Sequence, residues 1–328
     1  MSMQNENLKK GIFYGTIMVI LVGLQPIVAN SRPAVLDAYI FAAMTCIIQA
    51  LIFFPVMKIE RNTLELSKKN NPEDNSDINS LLHGWKKHIR LLIYIGINFS
   101  VSQFLFYLGF ELAGSINGAL AQKTTVIFGL LFGYLINKEE VRITQILFSF
   151  ILLFGVTLAI TEGSFNLLEF NVGVIIMFIT TTLWMLAHSI TKPILVNKDT
   201  TPVQLVFIRN GLSGIILISS YFSFYLIFQP IFFLEKINLL LEPINILFFI
   251  IMGAIYGFDL YCWYKLLSFV DVSKASVIAS PTPIVTAFFA IFLGEIFTIF
   301  HLVGLILIII SIYVIVREKK EGLNGGIQ

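Results

Sequence analysis

The sequence predicts an all-α integral membrane protein of ten transmembrane helices, arranged as two inverted five-helix repeats. Three observations lead there. Mean hydropathy is +0.85, with 57% hydrophobic and only 13% charged residues, whereas a soluble domain averages roughly 25% charged. The apolar residues gather into runs matching the roughly 20 residues that a helix needs to cross a bilayer core. Those runs fall into two sets of five, and the second set repeats landmarks of the first in the same order.

The first run, 12–30, follows Lys9 and Lys10. No small-x-small cleavage site comes after it, and Asn30-Ser31-Arg32-Pro33 reads as a turn, so the run is expected to stay as a helix. Its Gln25-Pro26 pair predicts a hinge at Pro26 with a free carbonyl nearby, because proline removes a ladder donor. The second run is 37–57, and the polar stretch 58–90 follows it. The middle of that stretch, Ser67 to Ser76, is low in apolar residues and predicts a mobile cytoplasmic linker. Leu81 to Arg90 reads as a short amphipathic lead-in with Trp85 at headgroup level.

The third run, 91–111, places Gln103 and Tyr107 one turn apart, with Glu111 wet at its end. The fourth, 114–136, holds Lys123 about nine residues in, too deep for easy snorkelling. The fifth is 143–161. In the sixth, 171–191, Thr181, Trp184, His188 and Thr191 share a stripe. The seventh, 203–228, carries Arg209 and Asn210 near its cytoplasmic end, where the arginine is expected to snorkel to water. The connection near 229–243 predicts a short re-entrant or interfacial segment. The eighth, 244–267, presents Tyr256, Asp259 and Trp263 on one face and Gly253 and Gly257 as a close-packing face. The ninth, 275–293, is broken near Ser280 by Pro281 and Pro283, both expected hinges. The tenth is 299–316. None of the runs alternates as barrel strands would.

Charge placement supports this count. With the N-terminus in the cytoplasm, eighteen lysines and arginines fall inside and only Arg32 and Lys236 outside, leaving Lys123 and Arg209 within helices. Such a positive-inside bias would be scrambled by one missed or false helix. It places both termini in the cytoplasm of what is expected to be a plasma-membrane protein. Cys46 and Cys262 both fall inside predicted helices and read as small packing residues. Enzyme signatures and clustered metal ligands are missing from the sequence, so no catalytic residue, metal or cofactor is expected. The basic residues flank the apolar runs, which leaves nothing pointing to nucleic acid.

The two halves are 1–162 and 163–328, together forming one transmembrane domain. Five is odd, so the second half enters the membrane from the opposite side. Such inverted halves are an architecture of secondary transporters. In the second half, Ser273 to Pro283 is followed by Gly294-Glu295, then His301, Gly304 and a last apolar run. In the first, Asn117-Gly118-Ala119 and Gln122-Lys123-Thr124-Thr125 precede Glu139, Gln145 and Gly155. This pattern resembles the repeat signature of the drug/metabolite transporter superfamily, EamA type. Val126 stands where the second half has Pro283, and Lys138 where it has Gly294. The resemblance implies a central cavity lined mainly by the first, third, fourth, sixth, eighth and ninth helices.

Polar groups at membrane depth are costly, by roughly 2.5–3.5 kcal/mol for a central charge. Each therefore marks a partner or a wet cavity. The expected substrate-binding residues are Lys123, Asp259, Tyr256, Trp263, Trp184, His188, Gln103, Tyr107, Gln25 and Ser280. Lys123 is expected to meet a substrate carboxylate or to titrate during proton-coupled transport. Asp259 between aromatics suits an ammonium, and His188 is a further proton relay candidate. The expected function is alternating-access transport of a small polar metabolite, an amino acid or similar zwitterion. The expected partners are that substrate, the lipid bilayer and protons as a coupling ion. An organic cation or a phosphorylated metabolite is the alternative substrate. From another class, the alternative is a non-transporting membrane receptor or scaffold whose long loop does the work.

Overall fold

A computed structural model describes residues 2–70, 75–165, 171–279 and 281–321. Among them every regular element is helical. The helices are α1 (Ser2–Asn30), α2 (Ala38–Asn70), α3 (Asn75–His83), α4 (Ile89–Ala113), α5 (Ser115–Ala121), α6 (Thr125–Asn137), α7 (Ile143–Ile160), α8 (Val172–Val196), α9 (Pro202–Phe228), α10 (Phe233–Leu241), α11 (Pro243–Phe269), α12 (Val272–Ile278), α13 (Thr282–Phe292) and α14 (Ile299–Glu321). Eight helical spans are long and apolar enough to cross a membrane. Where the ninth and tenth were expected, the apolar helices are shorter, Thr282–Phe292 and Ile299–Val314. The ninth is short because the chain breaks between Ile278 and Thr282. Pro281 and Pro283 flank the start of α13, where a missing N–H costs no ladder bond.

The fourth expected run is interrupted as well, without a proline. A 3₁₀ turn, Gln122–Thr124, separates α5 from α6. Two discontinuous helices thus lie in one bundle, and each has its N-terminus held by a glutamate at the far end of the other. Glu139, just past α6, accepts from the backbone amides of Val272 (2.9 Å) and Ser273 (3.3 Å) and from the Ser273 hydroxyl (2.7 Å). Glu295, just past α13, accepts from the amides of Ser115 and Ile116, both at 3.0 Å. These amides are first-turn donors with no intrahelical partner, so a carboxylate there satisfies both their bonding and the helix dipole. Each glutamate is aimed by a left-handed residue before it: Lys138 at φ 57° and Gly294 at φ 90°. Lys138 takes this conformation although only glycine does so without strain.

The two clasps lie at opposite ends of the bundle. At the end carrying residues 58–90, Lys192 bridges Glu139 (3.0 Å) and Asp271 (3.1 Å). At the other, His301 meets Asn117 at 3.1 Å, and Arg32 pairs with Glu111, which was expected to be merely wet. Elsewhere, glycines let helices close up. A Cβ at Gly253 would fall 2.5 Å from Ile48, so the small-residue face of α11 packs on α2. Pro230–Phe232 and α10 form the expected short segment outside the long helices, with Ile231 and Leu234 exposed.

Of the middle expected to be mobile, Ser67 to Ser76, residues 71–74 lie outside the described part, and the described residues on either side of them are helical. Helix α2 continues to Asn70, supported by the i, i+4 spacings Arg61–Glu65 and Glu65–Lys69. Helix α3 and a 3₁₀ turn, Gly84–His88, then dock on the α8–α9 connection. Asp199 accepts from Ser80 (2.9 Å) and meets His88 Nε2 (3.0 Å), while Lys198 pairs with Asp77 (2.5 Å). Gln204 donates to the Leu81 carbonyl at 3.1 Å, and Arg61 to that of Leu82 at 3.0 Å. Trp85 is partly buried against the core. Burial raises the Asp199 carboxyl, but the bonds from His88 and Ser80 and the charges of His88 and Lys87 outweigh it. The net shift is below the ordinary 3.8.

Two predictions follow from these contacts. Glu139→Gln should lower thermal stability by about 1.5–3 kcal/mol, the worth of a hydrogen bond to a charged group. Glu295→Gln, with fewer bonds at stake, should cost less. Melting curves in detergent check both, and an unchanged midpoint for Glu139→Gln would refute the clasp. Because the folded-state pKa of Asp199 is depressed, its stabilisation is present above the ordinary 3.8 and lost as pH falls through the folded value. Amide exchange in 75–88 should therefore accelerate at such acid pH, and in Asp199→Asn should be fast already at neutral pH.

Candidate functional site

Midway along the bundle, the chain forms a half-open cavity of about 70 Å³. It lies where two apolar cores meet: Trp184 and Tyr256 belong to one, Met18, Met185 and Trp263 to the other. Its walls come from α1, the 3₁₀ turn and start of α6, α8, α9, α11 and α12. Seven of the ten expected residues line it: Gln25, Lys123, Trp184, His188, Tyr256, Asp259 and Trp263. Ser280 lies outside the described residues.

Gln103 and Tyr107 are not among the lining residues. The Tyr107 hydroxyl donates to Thr45 at 3.0 Å, so this phenol is engaged by α2. Gln103 is fully buried, with its amide beside the Tyr107 hydroxyl. Their one-turn spacing on α4 does correctly place both on its buried side.

Lys123 reaches across to the broken ninth segment. Its ammonium donates to the carbonyl of Ala279 at 3.1 Å and to the hydroxyl of Thr282. It spans the gap between α12 and α13, where unwinding leaves backbone acceptors without ladder donors. The side chain is 2% exposed. Asp259 makes a different bond: its Oδ2 accepts from Gln25 Nε2 at 3.0 Å, and its Oδ1 has no partner. No ion pair joins Lys123 to Asp259 among the described residues.

Pro26 lies inside α1, and the freed-carbonyl region near it is used by α13. Thr286 donates to the Gly23 carbonyl at 2.9 Å, and the Pro26 carbonyl accepts from Ser115 at 3.4 Å. A Cβ on Gly23 would collide with Val285 at 2.5 Å, so α1 and α13 are in close backbone contact.

The aromatic wall is continuous. His188 packs between Trp263 (5.0 Å between centroids) and Phe99 (5.3 Å), with Tyr264 edge-on at 5.8 Å. His188 Nδ1 and the indole nitrogens of Trp184 and Trp263 are buried without a hydrogen-bond partner. These are costly groups to leave unsatisfied. Together they give the cavity donors as well as flat apolar surface.

Arg209 is the residue that sequence reasoning misplaced. It was expected to snorkel toward water, yet it is 1% exposed and lines the cavity. Its guanidinium carbon lies 3.5 Å over the Phe99 ring and 5.8 Å from the centre of the Tyr256 ring, with the Tyr256 and Tyr264 hydroxyls beside it and no carboxylate paired with it among the described residues. Depth alone, on the order of 10 Å from the start of α9 by helical rise, made snorkelling plausible. The direction of the side chain decides against it. A signal was present in the sequence: Arg209 and Ser213 stand one turn apart, and both are buried on the inward face of α9.

No cluster of three or more metal-ligating side chains exists among the described residues. What the cavity does offer is a carboxylate, an ammonium and a guanidinium that are not paired with one another, lined by indole, phenol and thioether surfaces.

Comparison with known proteins identifies the family. The model of the EamA-like transporter family matches twice, over residues 9–161 and 171–317. An uncharacterised transporter of Bacillus subtilis (strain 168), YyaM, is 24% identical over 215 residues, a match covering 63% of this chain and 66% of that protein. A solved structure, described only as a crystal structure of protein, superposes with a TM-score of 0.62 at 13% identity, covering 96% of this chain and 99% of that one. The likeness in structure shows a shared fold. The double family match covers nearly the whole chain, and the chain belongs to the EamA-like transporter family.

Proposed function

We propose that this transporter works by alternating access and carries a small zwitterion, an amino acid or a close analogue. The observation that carries this reading is the Asp259 carboxylate. It has one oxygen unpartnered and shares a cavity with Arg209 and Lys123 without pairing to either. Opposite charges held apart in a low-dielectric, aromatic-walled space suit a ligand that carries both signs.

Ten spans in two inverted repeats are part of the proposal. The division of the family match at 161/171 supports it, as do the two glutamate clasps at opposite ends of the bundle. The α12–α13 pair then counts as one interrupted span and α14 as the last. The distribution of lysine and arginine supports cytoplasmic termini and a plasma-membrane location. Discontinuous helices near the midplane are where secondary transporters build their sites.

The cavity of about 70 Å³ is well below the roughly 300 Å³ at which small-molecule sites begin. Substrate entry therefore requires one clasp to part. Lys123, bonded across the gap in the ninth span, is the group through which such motion would reach the site. Loss of its proton would release Ala279 and Thr282, a route to proton coupling.

A second substrate reading has its own observation. Arg209 and Lys123 give the cavity two cations, which would also suit a phosphorylated anion. Against the receptor or scaffold reading stands the 58–90 stretch. It is docked on its own bundle through Asp199, Gln204 and Lys198.

Uptake of labelled leucine into proteoliposomes tests the proposal. Asp259→Asn should reduce it on the order of ten- to hundredfold, the worth of a charged hydrogen bond. If Asp259→Asn and Lys123→Ala each transport as well as wild type, the site assignment is wrong. Deleting 62–80 separates the classes: a transporter keeps most of its activity, whereas a scaffold loses its partner and has no flux to lose.

A further inference from the structure

We infer that Arg209, rather than Lys123, reads the substrate's carboxylate, and that the site takes α-amino acids with bulky apolar side chains. This rests on the zwitterion reading above and assigns its two charge-recognising groups.

An ammonium has three donors. Two of those on Lys123 are committed to Ala279 O and Thr282 Oγ1, within the protein's own backbone gap. The lysine is a clamp in the structure as it stands. Arg209 is in the opposite condition. It is 1% exposed, its neighbours are the Phe99 ring and the neutral phenols of Tyr256 and Tyr264, and no carboxylate pairs with it among the described residues.

A charge left so deep in a membrane protein is expensive, and an aromatic face at 3.5 Å and two neutral phenols do not neutralise it. Stacking leaves the in-plane N–H groups available, and their fork matches a carboxylate with two parallel bonds. The acid in the same cavity, Asp259, has its own unmet need at Oδ1.

A zwitterion satisfies both groups at once. A simple amine leaves Arg209 unpaired, and a simple carboxylate leaves Asp259 unpaired. What remains of the ligand then lies among Met18, Trp184, Met185 and Trp263, which offer apolar surface and no charge. Small hydrophilic amino acids would gain little from that surface, so bulk and apolarity of the side chain set the preference.

Leucine, isoamylamine and isocaproate test this, since the second lacks only the carboxylate and the third only the amine. Each competes with labelled leucine for uptake into proteoliposomes, and each is assayed for thermal stabilisation of the purified full chain. Wild type should prefer leucine over either analogue by on the order of tenfold or more. Arg209→Gln should lose that preference over isoamylamine while keeping amine binding. Asp259→Asn should lose the preference over isocaproate while keeping carboxylate binding. Arg209→Lys, which keeps the charge but not the fork, should recover leucine binding only in part.

The melting temperature without ligand gives a second measure. Removing a buried charge that no carboxylate balances should leave that of Arg209→Met level or higher. An Arg209→Gln variant that weakens isoamylamine as much as leucine, or an Arg209→Met protein that melts well below wild type, makes Arg209 structural. The transport reading would then stand without it. If wild type responds to none of the three compounds, the amino-acid reading falls together with the assignment.

Discussion

The reciprocal capping of two broken helices is the constraint on which this structure depends. Helices α5 and α12 are only seven residues each, too short to be stable in isolation. Their first-turn amides are buried in the bundle, where water cannot satisfy them. Glu139 and Glu295 supply the acceptors, and each comes from the other broken helix. Neither interrupted segment can therefore be positioned without its counterpart. The polar gap that this arrangement opens midway along the bundle is the same gap that Lys123 fills and that the cavity borders.

The caps are unequal. Glu139 accepts from two amides and a hydroxyl and is also paired with Lys192, which in turn holds Asp271; Lys274 meets Asp271 at 3.2 Å. Glu295 accepts from two amides. With both clasps formed, the cavity measures about 70 Å³. On the alternating-access reading, a clasp that parts exchanges its bonds for water, so the cost of opening is far below the gross strength of the bonds. It remains larger where more of them share one carboxylate. The Glu295 end is then the easier one to open, and the Lys192 network biases the resting protein toward closure at the end that carries 58–90.

Much of this was legible in the sequence, and the misses have physical causes. Apolar runs and the lysine–arginine distribution located the long helices, because bilayer thickness and membrane charge act on local composition. The prolines at 281 and 283 announced a break near Ser280. The break at Gln122–Thr124 carries no proline and so was silent. The 58–90 stretch read as a linker because its charges were counted as solvation. In fact Arg61, Glu65 and Lys69 support a continued helix, and the docking partners of Ser80 and His88 lie more than a hundred residues away. Lys123 shows the same blindness: its acceptor is Ala279, 156 positions along the chain. A search of local spacing sees an unpaired cation there, although the fold pairs it. For Arg209 the error ran the other way, since depth suggested an easy route to water and only the direction of the side chain shows that it points inward.

These two cations exchange roles between sequence and structure, and the exchange separates recognition from motion. A lysine that bridges the ends of α12 and α13 cannot also hold a substrate carboxylate firmly without giving up one of its bonds. An arginine stacked on Phe99 of α4 can, because no carboxylate occupies its fork. On the zwitterion reading, recognition falls to Arg209 on α9 and Asp259 on α11, both on unbroken helices that can keep their geometry. On the alternating-access reading, the broken pair α5–α6 and α12–α13 is what moves. Any displacement of α13 relative to the 3₁₀ turn breaks the Lys123–Thr282 bond inside the cavity wall. A ligand held between Arg209 and Asp259 would sense that break directly, as a change in the charge facing it. On that same reading, the two breaks that the twice-matched chain contains serve as hinges, and a single lysine, present at one and bonded across the other, couples them.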